Sequence, residues 1–248
     1  MEAPTKADGP EAGEAIRNSK VQVLKSIPPI TLENCLLGQY EDYTDDPTIT
    51  NKESLTPTFA VIRCFVHTPR WHGVPFIFKA GKALDERKAE IRIQFKDAPA
   101  ANFLFDRNCP RNELVVRMQP NEAIYLKTNV KAPGFTSEPI QSELEVNYNT
   151  RYFSRSNENN PDAYTRLILE VLRGRSAAFV REDELRKSWE IFTPLLHKIE
   201  REKIRPIIYK RGSRGPSEAD SFIQSKSGYI RNEDYVFYQD TIVHKSSL

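Results

Sequence analysis

Glycine is scarce in this chain, with ten among 248 residues, below its average share. No GxGxxG occurs, which excludes a dinucleotide fold of that type from these residues. Gly81-Lys82-Ala83 resembles the end of a phosphate loop. The earlier glycine would have to be residue 76, which is Phe76, and Ala83 stands where Ser or Thr is needed. Cysteine is also sparse. Cys35, Cys64 and Cys109 are odd in number and have no CxxC spacing, so neither a disulfide framework nor a zinc site is expected, and the three read as packing residues. The four histidines, His67, His72, His197 and His244, lack metal-ligand spacing. No nucleophile elbow or Ser/His/Asp order is readable. Charge of one sign is missing too: 36 Lys+Arg face 34 Asp+Glu, a formal +2. That argues against nucleic-acid or polybasic membrane binding. No apolar run reaches the roughly eighteen residues of a membrane span, and the polar start has no apolar signal core.

What is present alternates. Residues 58–66 form an apolar run of strand length. Ile91, Ile93 and Phe95 take one face of residues 90–95, and Arg92 and Gln94 take the other. Residues 113–119 put Arg117 and Gln119 together, 124–128 pair Tyr125 with Lys127, and 144–148 repeat the pattern. This predicts an antiparallel sheet with its apolar face, including Ile91 and Ile93, buried. The period then changes. Asn160-Pro161 predicts a helix start with Asn as the cap, and Gly174 a stop. A second helix from Glu182 carries the stripe Leu185, Trp189, Phe192, Leu196 and Ile199, read as core, with a kink at Pro194. Residues 1–18 are expected to be a disordered tail and 21–55 a connector. The fold class is α+β, a large mainly antiparallel sheet followed by packed helices.

Two windows break the charge balance. Residues 70–96 hold seven basic and three acidic side chains, and 198–214 hold seven and two. Clustered Arg and Lys suit phosphate; a solvated charged face is the other reading of the same pattern. No catalytic base is visible.

Several longer stretches resemble the glucose-6-phosphate dehydrogenase family. They are Asp45-Asp46-Pro47-Thr48, Arg70-Trp71-His72-Gly73-Val74-Pro75-Phe76-Ile77, Ala80-Gly81-Lys82-Ala83-Leu84, Ile91-Arg92-Ile93-Gln94-Phe95-Lys96-Asp97, Phe192-Thr193-Pro194-Leu195-Leu196-His197 and Gly212-Ser213-Arg214-Gly215-Pro216. They follow the family's order and cover roughly residues 20–220. The resemblance implies the C-terminal half of that chain, as one domain over residues 19–248, and so a fragment or truncated member. It lacks the Rossmann domain and the catalytic histidine, and the isolated chain is expected to be inactive.

The resemblance implies a cytoplasmic, dimeric or tetrameric oxidoreductase of the pentose phosphate pathway that takes glucose 6-phosphate and NADP. From this half, the sugar-phosphate contacts would be Lys82, Arg87 and Gln119. A second, structural NADP would be held by Lys79, Lys88, Arg92, Arg117, Tyr125, Lys127, Glu145, Arg214 and Asp220. Lys79 stands where animal members carry Arg, and Glu145 where they carry Asp. Their C-terminal Trp is absent, with Tyr229, Tyr235 or Phe237 as the alternative substitutes. The cations gathered there are expected to repel one another until an anion binds. The alternative implied function is a non-catalytic NADP- or sugar-phosphate-binding and oligomerisation module.

Overall fold

The computed structural model describes residues 2–6, 11–97, 99–100, 103, 109–135, 139–153 and 161–232. Two compact units emerge. The first takes residues 1–86 and 161–228, and the second takes 87–160 and 229–248. The two units alternate along the chain, each built from two segments.

The first unit holds a four-stranded sheet of β1 (Cys35–Tyr40), β2 (Phe59–Phe65), β3 (Pro75–Gly81) and β8 (Ile207–Tyr209), in the order β3-β2-β1-β8. β1, β2 and β3 are antiparallel neighbours, and β8 pairs parallel with β1. Cys35, Leu37 and Cys64 lie on one face, where they form a core with Ile30, Ile191 and Leu195. Burial pushes both thiols up to about 11, which leaves them protonated and inert.

The helices of this unit are α1 (Ala12–Lys25), α2 (Ala163–Leu172), α3 (Glu182–Arg201) and α4 (Glu218–Ser227). The tail expected to be disordered over 1–18 is helical from Ala12, with Ala15 buried. The expected connector over 21–55 contains the rest of α1 and all of β1. α2 starts two residues later than expected, capped by Asp162 in place of Asn160, and the Asp162 carboxylate accepts from the Thr165 N–H at 2.9 Å. Gly174, with φ +67°, stops it as expected.

α3 runs continuously through Pro194. Its buried positions are Ile191 and Leu195, with Phe192 and Ile199 packed beside them. Leu185, Trp189 and Leu196 are exposed, so the stripe was misplaced by about one position. No described helix is long and apolar enough to cross a membrane.

On the other face of this sheet, Phe59 sits among glycines. A Cβ on Gly81 would lie 2.6 Å from its ring, and one on Gly215, at φ +105°, would lie 2.4 Å away. Tyr209 tilts against the same ring at 5.6 Å and donates its hydroxyl to the Lys82 carbonyl at 2.7 Å. Gly81 and Gly215 therefore stand where a large ring must meet backbone.

The second unit is a sheet of β4 (Ala89–Gln94), β5 (Glu113–Gln119), β6 (Ala123–Lys131) and β7 (Pro139–Asn147), antiparallel throughout and in sequence order. Glu113, Val115, Arg117, Ala123, Tyr125 and Lys127 are buried, while Ile91, Ile93, Phe95, Met118, Leu144 and Val146 are exposed. The alternation is as expected and its direction is the opposite: the charged face is covered and the apolar face is open.

Gly215→Ala should lower stability by about 1–3 kcal/mol, because it adds backbone strain and a clash with Phe59. Urea unfolding of the two proteins measures the difference.

Candidate functional site

The covered face of the second sheet is built from three cross-strand rows, because directly paired residues point to the same side. Gln94 pairs with Glu113, Glu113 with Lys127, and Lys127 with Glu143. One step along, Arg92, Val115, Tyr125 and Glu145 share a row. Beyond them, Glu90 faces Arg117, which faces Ala123. Period-two alternation therefore gathers four strands' polar residues without any loop.

A short stretch of the C-terminal region lies on this face. The Gln94 side chain donates to the Ile230 carbonyl at 2.7 Å and accepts from its N–H at 3.0 Å. An amide that both donates and accepts with one residue's backbone mimics a strand pairing. Asn232 donates to Gln141 at 2.8 Å, and Gln141 donates to the Arg111 carbonyl at 3.1 Å.

Ion pairs hold the centre. Glu113, 2% exposed, accepts from Arg92 at 2.9 Å and from Lys127 at 3.2 Å, both through its Oε2. Glu90 accepts from Arg92 at 2.7 Å, and Lys88 lies 3.8 Å from it. The Arg117 guanidinium sits over the Tyr125 ring at 6.0 Å.

These neighbours set the protonation states. Burial alone would raise the Glu90 carboxyl, but the hydrogen bond and charge of Arg92, with Lys88 and Arg117 beyond, hold it below the usual carboxylate range. Burial likewise opposes the Arg92 charge and is outweighed, chiefly by Glu90, so its pKa is raised. For Lys127, burial wins over Glu113 and pulls the ammonium's pKa down. Burial, and then the Glu113 charge, push up the Tyr229 hydroxyl. Tyr229 is thus the C-terminal aromatic placed at this cluster; Tyr235 and Phe237 lie outside the described residues.

Of the residues singled out in the sequence, Arg92, Arg117, Tyr125 and Lys127 come together here, with Glu145 beside Tyr125 in its row and Lys88 next to Glu90. Arg87 and Gln119 are exposed at the β4–β5 end of the same unit. The others belong to the first unit. Lys79 on β3 approaches the Phe59 ring at 5.7 Å. Lys82 follows β3, its N–H donating to the Thr58 carbonyl at 2.9 Å. Arg214 makes a fork with Asp220 at 2.8 and 3.2 Å.

The cations are not bare: Glu90 and Glu113 offset part of their charge from within the face. Both carboxylates alternate in phase with Arg92 and Arg117, a signal that was present in the sequence. Chemically, two guanidinium forks, an ammonium and a tyrosine ring on one face fit a phosphate-bearing planar ligand.

Residues 1–232 match the family described as "Glucose-6-phosphate dehydrogenase, C-terminal domain". Two relatives are similar over 92% of the chain: the cytoplasmic isoform of glucose-6-phosphate 1-dehydrogenase from Solanum tuberosum, 51% identical, and isoform 5, cytoplasmic, from Arabidopsis thaliana, 50% identical. The match takes in 44% and 43% of those relatives, so the chain spans less than half their length. A solved glucose-6-phosphate dehydrogenase in complex with its substrate, glucose 6-phosphate, superposes with a TM-score of 0.82 at 41% identity, covering 94% of this chain and 48% of that one.

Two outcomes test the charge cluster. Lys127→Met should cost about 3 kcal/mol in chemical denaturation, because it leaves a buried carboxylate with one cation fewer. The depressed Glu90 pKa stabilises the fold above its unfolded value of about 4.5, and that contribution is lost as pH falls through the lower folded value. Thermal melts across pH 3–6 should show this acid loss, and Arg92→Ala should flatten it.

Proposed function

The chain belongs to the glucose-6-phosphate dehydrogenase C-terminal domain family, and from that premise we propose that it supplies the sugar-phosphate contacts, a structural coenzyme site and the subunit contact of such an enzyme. The whole reaction oxidises glucose 6-phosphate with NADP to 6-phosphogluconolactone and NADPH, in the oxidative pentose phosphate pathway of the cytoplasm. Lys82, Arg87 and Gln119 contact the sugar phosphate. The observation that carries the coenzyme reading is the covered face, where Arg92, Arg117, Tyr125 and Lys127 converge. Lys88 and Glu145 of the same unit belong to the proposed NADP set, to which family resemblance adds Lys79, Arg214 and Asp220.

None of the four histidines lies in the family's catalytic motif, and no glycine fingerprint occurs. General-base catalysis needs a group within reach of the proton. These 248 residues therefore bind and assemble rather than turn over. Purified chain with glucose 6-phosphate and NADP should produce no NADPH absorbance, and calorimetry should find the sugar phosphate binding at millimolar strength or weaker. NADP should raise the melting temperature, by about 2.7 kcal/mol of stability at a hundredfold excess over Kd. NAD should raise it less, since it lacks the 2′-phosphate, and Arg92→Ala should lose most of the shift.

The open face of the second sheet supports the oligomer. Ile91, Ile93, Phe95 and Met118 at β4 and β5, Ile124 on β6, and Leu144 and Val146 on β7 present an apolar surface across the sheet, of a kind that marks an association site. A second copy covers it, giving a homodimer. Ile93→Glu with Leu144→Glu should convert the dimer to monomer in light scattering while leaving the far-ultraviolet circular dichroism unchanged.

A further inference from the structure

The reading of the covered face as an anion site leaves Glu113 without a part, although it is the most central charge there. A carboxylate this buried would raise the cost of folding unless it were paired. It sits between a guanidinium at 2.9 Å and an ammonium at 3.2 Å, both taken by one oxygen. That is how a phosphate oxygen is held when two cations converge on it.

The pair is also reachable. A cavity of about 400 Å³ within the second unit is lined by Glu113, Lys127, Gln94, Arg111, Arg231 and Asn232 among others. Arg111 is fixed at its edge by a fork to Asp97, at 2.6 and 2.8 Å. Arg111, Asp97 and Arg231 line its more exposed part, and the buried Glu113–Lys127 pair lies deeper.

We propose that Glu113 is a built-in counter-ion: it holds Arg92 and Lys127 in phosphate-binding geometry when no ligand is present, and it competes with an incoming phosphate for those same two cations. Glu113 is thus a positioning residue that sets affinity. This inference rests on the anion-site reading above. It explains how buried cations persist without ligand, since the carboxylate removes their mutual repulsion. It also restricts the site to multiply charged anions. A monoanion offers Arg92 and Lys127 no more charge than the carboxylate already does, whereas a pyrophosphate or a 2′-phosphate does.

The test titrates inorganic pyrophosphate into the full chain and into Glu113→Gln, following binding by calorimetry and stability by thermal melting. Without the anion, Glu113→Gln should melt lower than the parent chain. With it, the variant should bind at least tenfold tighter and recover most of the lost melting temperature. Equal or weaker binding by the variant overturns the proposal, as does pyrophosphate that binds neither protein.

Should Glu113→Gln not fold, Glu113→Asp keeps the charge and withdraws it by one methylene. Pyrophosphate should then bind more tightly than to the parent chain, and unchanged affinity rejects the counter-ion. NADP is titrated separately. If pyrophosphate separates the proteins while NADP binds neither, the counter-ion stands and the coenzyme reading falls. If NADP binds parent and variants equally, the coenzyme reading stands and the counter-ion falls.

Discussion

A charged group leaves water only when the protein replaces what water supplied. In the second unit that requirement centres on Glu113, and much of the sheet follows from it. Glu113 needs cations from both neighbouring strands, so β4 must bring Arg92 and β6 must bring Lys127 to the same side. Arg92 then needs a second carboxylate, which Glu90 supplies from two residues earlier on the same strand. A slip of one residue in any register would turn every one of these groups to the opposite face. The ion pairs therefore fix the alignment of three strands, a use of buried charge better attested than net stabilisation.

The sequence allowed much of this to be read and misled in one respect. Alternation in 90–95 and 113–119 placed two strands to within a residue and named which side chains share a face. It could not say which face is covered, because hydrophobicity decides burial only where nothing else arrives to do the covering. Here residues 229–232 supply polar partners for Gln94 and Gln141, and that segment gives no strand or helix signal of its own. The apolar face then stays open within one chain. Trp189 illustrates the same limit on a helix: four- and three-residue spacings gave a stripe, yet the core took Ile191 and Leu195 instead.

Other features escaped for local reasons. β1 contains Gly38 and Gln39, which dilute an apolar run, and its burial comes from pairing on both sides, with β2 and β8. β8 is three residues long, too short for any period to register. The residues Arg92, Arg117, Tyr125 and Lys127 were found through family resemblance and share a face as alternation required. Glu90 and Glu113 share that phase, and a buried cation without a carboxylate nearby would be the anomaly.

The order of the first sheet in space differs from its order along the chain. β1, β2 and β3 lie before residue 86, whereas β8, which flanks β1 on the other side, lies at residues 207–209, with residues 87–160 of the second unit in between. A ribosome delivers about 5–20 residues per second, so β1 waits on the order of ten seconds for its parallel neighbour. During that interval one edge of β1, with its backbone N–H and C=O groups, has no strand beside it, the condition under which strands recruit foreign chains. The strand order thus leaves the β1 edge open in the growing chain long after β2 and β3 have been made, and closes it in the finished one.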